Sequence, residues 1–113
     1  MLIYRKEIVL EKTATQILSA AALNAVTAFG KKWKCLEINI HFGAAVTETV
    51  TITRDSKNGS NYDTVIKTES LTTATDFSWD CEKYCAAGDE IRVQCTAATA
   101  TTTAYLTIKG KEI

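Results

Sequence analysis

Between Trp33 and Gly43 the chain alternates: Leu36, Ile38, Ile40 and Phe42 are separated by Glu37, Asn39 and His41. A period of two sends every second side chain to the same face of an extended backbone, so this run is a strand with one buried face. The same pattern returns along the chain. Val50 and Ile52 alternate with Thr49, Thr51 and Thr53, after a break at Gly43-Ala44-Ala45. Asp55 to Asn61 is a dense turn cluster containing Asn58-Gly59, a pair that favours positive φ, and it predicts a hairpin. Tyr62, Thr64 and Ile66 continue on its far side with Val65 on the opposite face. Phe77 and Trp79 alternate with Asp76, Ser78 and Asp80. After the Ala87-Gly88-Asp89 turn, Ile91, Val93 and Cys95 alternate with Arg92 and Gln94, and Ala104, Leu106 and Ile108 form the last stripe.

Composition agrees with strands. The chain holds 18 Thr among 113 residues, and threonine sits inside the alternating runs, where a β-branched side chain fits a half-wet pleated face. The segment 14–29 admits two readings. Leu18, Ala22, Ala25, Val26 and Phe29 make a passable helical face, while Leu23, Ala25, Thr27 and Phe29 also alternate before Gly30. With about seven or eight short strands and no strand–helix alternation, the expected fold is all-β. It is a single antiparallel β-sandwich, jelly-roll-like, spanning residues 1–113, with a short helix within 14–29 as the open alternative.

Function classes narrow by exclusion. Thirteen basic residues balance 13 acidic ones, which is a poor surface for a polyanion, so no direct nucleic-acid partner is expected. The apolar run Ala20 to Leu23 is far short of a membrane span, and no membrane partner is expected. Arg5-Lys6-Glu7 places charge where a secretory leader needs an apolar core, so synthesis in the cytosol is expected. Catalytic signals are thin. The single histidine, His41, lies on the polar side of a strand with no activated serine or cysteine proposed by spacing. The five glycines form neither a P-loop nor a dinucleotide fingerprint. No catalytic residue, cofactor-binding residue or metal ligand is assigned, and no cofactor is expected.

The four cysteines are Cys35, Cys81, Cys85 and Cys95. Only Cys81 and Cys85 have knuckle-like spacing, so a zinc site is disfavoured. The expectation is free thiols, with Cys35 and Cys95 acting as small core hydrophobes and the other two flanking a strand end. Lys57 and Gly59 fall where a calcium loop needs an oxygen ligand, so 55–63 reads as a tight turn. Trp33, Tyr62, Trp79 and Tyr84 offer flat faces for a sugar platform, but each also sits in a pattern where aromatics cover a core.

The order of motifs carries a resemblance. Ala22-Leu23-Asn24-Ala25-Val26-Thr27 precedes the Gly-Lys turn and the strand ending at His41-Phe42. Then come Glu48 to Ser56, Gly59, Tyr62-Asp63-Thr64-Val65, Thr75-Asp76-Phe77-Ser78-Trp79 and Ala87-Gly88-Asp89-Glu90-Ile91-Arg92-Val93. Across roughly residues 15 to 108 this resembles a group of small structural proteins found in tailed-bacteriophage gene sets. The resemblance implies a virion component assembled in the host cytoplasm, either a capsid decoration or cement protein or a tail or fibre accessory. It implies no catalytic residues, and the cysteines are not part of the pattern. The lead expectation is a structural protein that forms a symmetric homo-oligomer against the major capsid protein or other virion subunits. The alternative is a glycan or host-surface binding module on the same scaffold.

One stretch is a candidate interface. Leu2, Tyr4, Ile8 and Leu10 form an apolar stripe near the N-terminus, with Lys6 falling on the stripe itself and charges around it. A fully enclosed strand does not tolerate that lysine cheaply. Residues 1–12 are therefore expected to be an edge strand or an arm that adds to a neighbouring subunit.

Overall fold

The structure, a computed structural model, describes residues 9–98 and 101–113. Among the described residues there are nine strands: β1 (Val9–Ile17), β2 (Leu23–Thr27), β3 (Trp33–Val46), β4 (Thr49–Asp55), β5 (Thr64–Ser70), β6 (Ala74–Trp79), β7 (Lys83–Cys85), β8 (Glu90–Cys95) and β9 (Thr103–Glu112). A 3-10 turn, Ser60–Tyr62, lies in the β4–β5 connection. One sheet runs β1-β9-β3-β6, with β7 also on β3, and the other runs β2-β8-β4-β5. Every pairing is antiparallel. Apart from the β4–β5 hairpin and the β6–β7 step, successive strands change sheet. That succession is the jelly-roll topology, in which two sheets share one core between them.

The open reading of 14–29 resolves as strand, turn and strand. β1 ends at Ile17, whose carbonyl accepts hydrogen bonds from the Ala20 and Ala21 N–H groups, and β2 begins at Leu23. Helix propensity in the alanines loses to cross-sheet burial: Leu18, Leu23 and Thr27 are buried in the sandwich.

The core draws on both sheets. Ile38, Ile40, Phe42, Leu106 and Ile108 come from one, and Val50, Ile52, Ile91 and Val93 from the other. The face predicted from Leu36, Ile38, Ile40 and Phe42 needs one correction. Cys35 pairs with Gly110 and Glu37 with Lys109, so Leu36 is an extra, half-buried residue in a β-bulge. The bulge flips the parity of β3. Trp33 and Cys35 point inward before it, and Ile38, Ile40 and Phe42 point inward after it. The expected break at Gly43-Ala44-Ala45 is also absent, because β3 continues to Val46. The Ala44 N–H donates to Thr102 Oγ1 at 3.0 Å, which holds the backbone extended there.

Trp33 anchors one end of the core. It is fully buried, and its ring meets Phe29 edge-on, with centroids 4.7 Å apart and planes at 81°. Its indole N–H finds no hydrogen-bond partner among the described residues. An unpaired buried donor costs about 1–3 kcal/mol. Burying an indole removes on the order of 200 Å² from water, worth about 5 kcal/mol. Packing wins at this position.

Candidate interaction surface

Of the four stripe residues, Leu2, Tyr4 and Ile8 lie outside the described residues, and Leu10 is in β1. Along β1 the even-numbered side chains turn toward the core: Leu10 and Ala14 pack against it. Lys12 on the same face donates through Nζ to the Ala28 carbonyl at 2.9 Å and stands over the Phe29 ring at 5.5 Å. A long lysine stem covering apolar surface while its head finds oxygen explains how a charge is accommodated there. The odd-numbered residues face outward, and two of them are apolar. Val9 is 64% exposed and Ile17 52% exposed. Leu10 belongs to the predicted stripe, whereas Val9 and Ile17 lie on the opposite parity and fall outside it.

β1 occupies the end of its sheet, paired with β9 from Val9↔Lys111 to Ile17↔Thr103. Among the described strands nothing pairs with its other side. An edge of this kind presents unpaired N–H and C=O groups at every second residue, which is a template for another strand. The second sheet ends in β2 on one side and β5 on the other. β5 carries Lys67 and Glu69, charges of the kind that discourage edge-to-edge pairing, and β1 carries Glu11 and Lys12.

The outer face of the β1 sheet is a polar ladder. His41 on β3 pairs with Asp76 on β6 and with Tyr105 on β9 in register. His41 Nδ1 lies 2.9 Å from Asp76 Oδ1, and its ring stacks on Tyr105 at 6.3 Å. One step along, Ser78 Oγ donates to Asn39 Oδ1 and Asn39 Nδ2 donates to Glu37. The His–Asp pair is not visible in the sequence, because only strand register brings residues 41 and 76 together. It does not make a hydrolase triad. The serine two residues on from Asp76 gives its hydrogen bond to Asn39, and both members of the pair are about two-thirds exposed. The hydrogen bond from His41, followed by that from Thr75, holds the Asp76 carboxyl below its ordinary value.

The loops at the β4–β5 end spend their carboxylates internally. Asp63 accepts from the Ser56 N–H at 2.7 Å. Asp89 accepts from the Lys57 N–H and the Ala86 N–H, both at 3.0 Å, so one side chain ties two turns together. The tight-turn reading of 55–63 is what the structure shows. The four aromatics weighed as a sugar platform do not share a surface role. Trp33 is buried and Trp79 packs against the core, while Tyr62 and Tyr84 are exposed.

All four cysteines are buried and carry free thiols. Cys95 belongs to the β8 core stripe, and burial pushes its thiol up to about 11. Cys35, Cys81 and Cys85 gather at the β3–β7 end, where Trp33 pairs with Cys85 and Cys35 with Lys83. Among the described residues no set of three or more His, Cys, Asp or Glu side chains is placed to hold a metal ion.

No protein-family model matches the chain, and no curated protein is similar to it in sequence. Solved structures resemble it in fold. The Drosophila NLP-core, described for pentamer formation and histone binding, superposes with a TM-score of 0.49 at 12% identity, covering 92% of this chain and 98% of that one. A subunit of Bacillus endospore appendages, described as disulfide-linked pili, gives 0.43 at 17% identity over 100% and 96%. A chain of infectious bursal disease virus, Gx strain, gives 0.41 at 10% identity, covering 95% of this chain and 30% of that chain.

Proposed function

We propose that this chain is a structural subunit of a tailed-bacteriophage virion, a capsid decoration or cement protein that assembles as a symmetric homo-oligomer on the particle. The observation that carries the reading is the open edge of β1, flanked by exposed Val9 and Ile17 and continuous with the apolar residues Leu2, Tyr4 and Ile8 in sequence. Such an edge suits strand addition between copies, where main-chain hydrogen bonds supply affinity. The phage-like order of motifs supports the particle on which this happens. The balanced charge supports close packing of many copies without single-sign repulsion.

Two measurements test the reading. Native mass spectrometry of the full chain should give one closed oligomer. A variant starting at Val9, which keeps the β1 edge but lacks the apolar residues before it, should associate more weakly while keeping a β-type circular-dichroism spectrum. Proteomics of particles from a phage carrying this gene, with heads and tails separated, should find the chain on heads. A full-length chain that stays monomeric at high concentration, or a chain absent from the particles, would overturn the proposal.

A further inference from the structure

The open edge of β1 is set by which way its backbone groups point. The Leu18 N–H donates to the Thr102 carbonyl at 2.9 Å, one step beyond the β1–β9 ladder and in the same register. Backbone groups alternate sides along a strand in step with the side chains, so the even-numbered residues of β1 bond to β9. Val9, Glu11, Thr13, Thr15 and Ile17 therefore send their N–H and C=O groups to the side that no other described strand occupies. Their side chains share the outer face of the sheet, and each is exposed.

This edge is symmetric about Thr13, with Val9 four residues before it and Ile17 four residues after it. Consider a second copy laid antiparallel along the edge with Thr13 opposite its own counterpart. Val9 then stands opposite the second copy's Ile17, and Ile17 opposite its Val9. Glu11 meets Thr15, and on the core side Lys12 meets Ala14 and Leu10 meets Gln16. Only the odd-numbered residues of either copy have backbone groups free for pairing, so the register can shift only in steps of two. A shift of two one way sets Lys12 against Lys12 of the other copy. A shift of two the other way sets Glu11 against Ile17. Both shifts break the apolar pairs, and the first adds a like-charge pair directly across the strands.

We propose that two copies of this chain join through β1 about a two-fold axis at Thr13, forming one continuous antiparallel sheet in which Val9 of each copy packs on Ile17 of the other. The inference rests on the strand-addition reading of this edge and gives it a partner, a symmetry and a register. The interface is isologous, so every contact off the axis occurs twice. Glu11 and Lys12, which would oppose other pairings, meet neutral residues in this one and so act as selectors of register. Pairing consumes both edges, and association through β1 closes at two copies.

The test uses the full chain, with the parent and its buried free thiols as the background control. Thr13→Cys places a thiol on each side of the axis at the ~5.5 Å Cα spacing of a hydrogen-bonded pair, within disulfide reach. Mild oxidation should give a covalent dimer that dithiothreitol reverses. Thr15→Cys should stay uncrosslinked, because its two copies stand about 14 Å apart along the strands. Val9→Lys and Ile17→Glu should each weaken the dimer by about tenfold in sedimentation equilibrium, and the double variant, with opposite charges facing each other twice, should recover it. Crosslinking at position 15 instead of 13, or a double variant no stronger than either single one, would overturn this register and leave strand addition in another arrangement standing. A parent chain that is monomeric at high concentration would overturn both. Dimers that crosslink at position 13 in a chain absent from phage particles would uphold the inference and remove only the virion role.

Discussion

The Trp33 ring fills the space that a side chain at Gly110 would need: a Cβ there would lie 2.7 Å from Trp33 Cε3 and 2.8 Å from the Lys34 carbonyl oxygen. Neither neighbour can give way, because one is backbone and the other is a fully buried indole. Gly110→Ala should therefore destabilise by about 1–3 kcal/mol, the usual range for overpacking a core. Gly43 is the control. A Cβ at that position meets nothing nearer than 3.8 Å, so Gly43→Ala should be neutral or stabilise by up to about 1 kcal/mol. Urea midpoints of the two variants decide it, and equal shifts would show that Trp33 does not confine position 110.

Ile40 and Asn39 are neighbours on β3 with opposite environments. Ile40 is 1% exposed, so Ile40→Ala should cost about 2–5 kcal/mol. Asn39 faces out and hydrogen-bonds Ser78 and Glu37, and Asn39→Ala should cost no more than about 1 kcal/mol. A denaturant melt that gave the two variants equal losses would contradict the register of the strand.

Asp76 links the polar ladder to pH. Its folded pKa lies below its unfolded value of 3.8, so the contribution from His41 is present above that value and fades as the pH falls through the folded one. Both side chains are exposed, so the effect on global stability should be small and salt-sensitive. Carboxyl-detected NMR should place the Asp76 midpoint below 3.8 in the parent chain. In His41→Ala it should rise, with the Thr75 hydrogen bond keeping part of the depression. An unchanged midpoint would mean that the pair does not form in solution.

The open edge makes a separate prediction. Val9→Glu with Ile17→Glu alters two exposed side chains and no buried one, so the thermal midpoint should barely move. Self-association should weaken by about tenfold or more, read by sedimentation equilibrium or native mass spectrometry. An oligomer that survives the double variant unchanged would place the interface elsewhere.

Much of this architecture is legible in the chain as printed. The stripes of β3, β4, β6, β8 and β9 are plain in the alternation of Ile38, Val50, Phe77, Val93 and Leu106 with polar neighbours, because each strand has one wet face. What the alternation hides is local. The end of β1 and all of β2 fall in the Ala-rich segment 14–29, which fits either helix or sandwich. β7 is only three residues long and carries no period. The bulge at Leu36 looked like one more member of the stripe, since an apolar extra residue leaves the pattern visually intact. The His41–Asp76 pairing depends on which strands are neighbours, and no local pattern encodes that.

The bulge at Leu36 also divides β3 into two segments that keep separate time. Deleting that one residue would set Cys35, Glu37 and Ile38 in unbroken alternation against Gly110, Lys109 and Ile108, with Trp33, Cys35, Ile38, Ile40 and Phe42 all still on the core side. Position 36 is thus a place where β3 can lose a residue without turning any side chain from core to solvent, and what it would lose is the local bend and added twist that a bulge gives the strand.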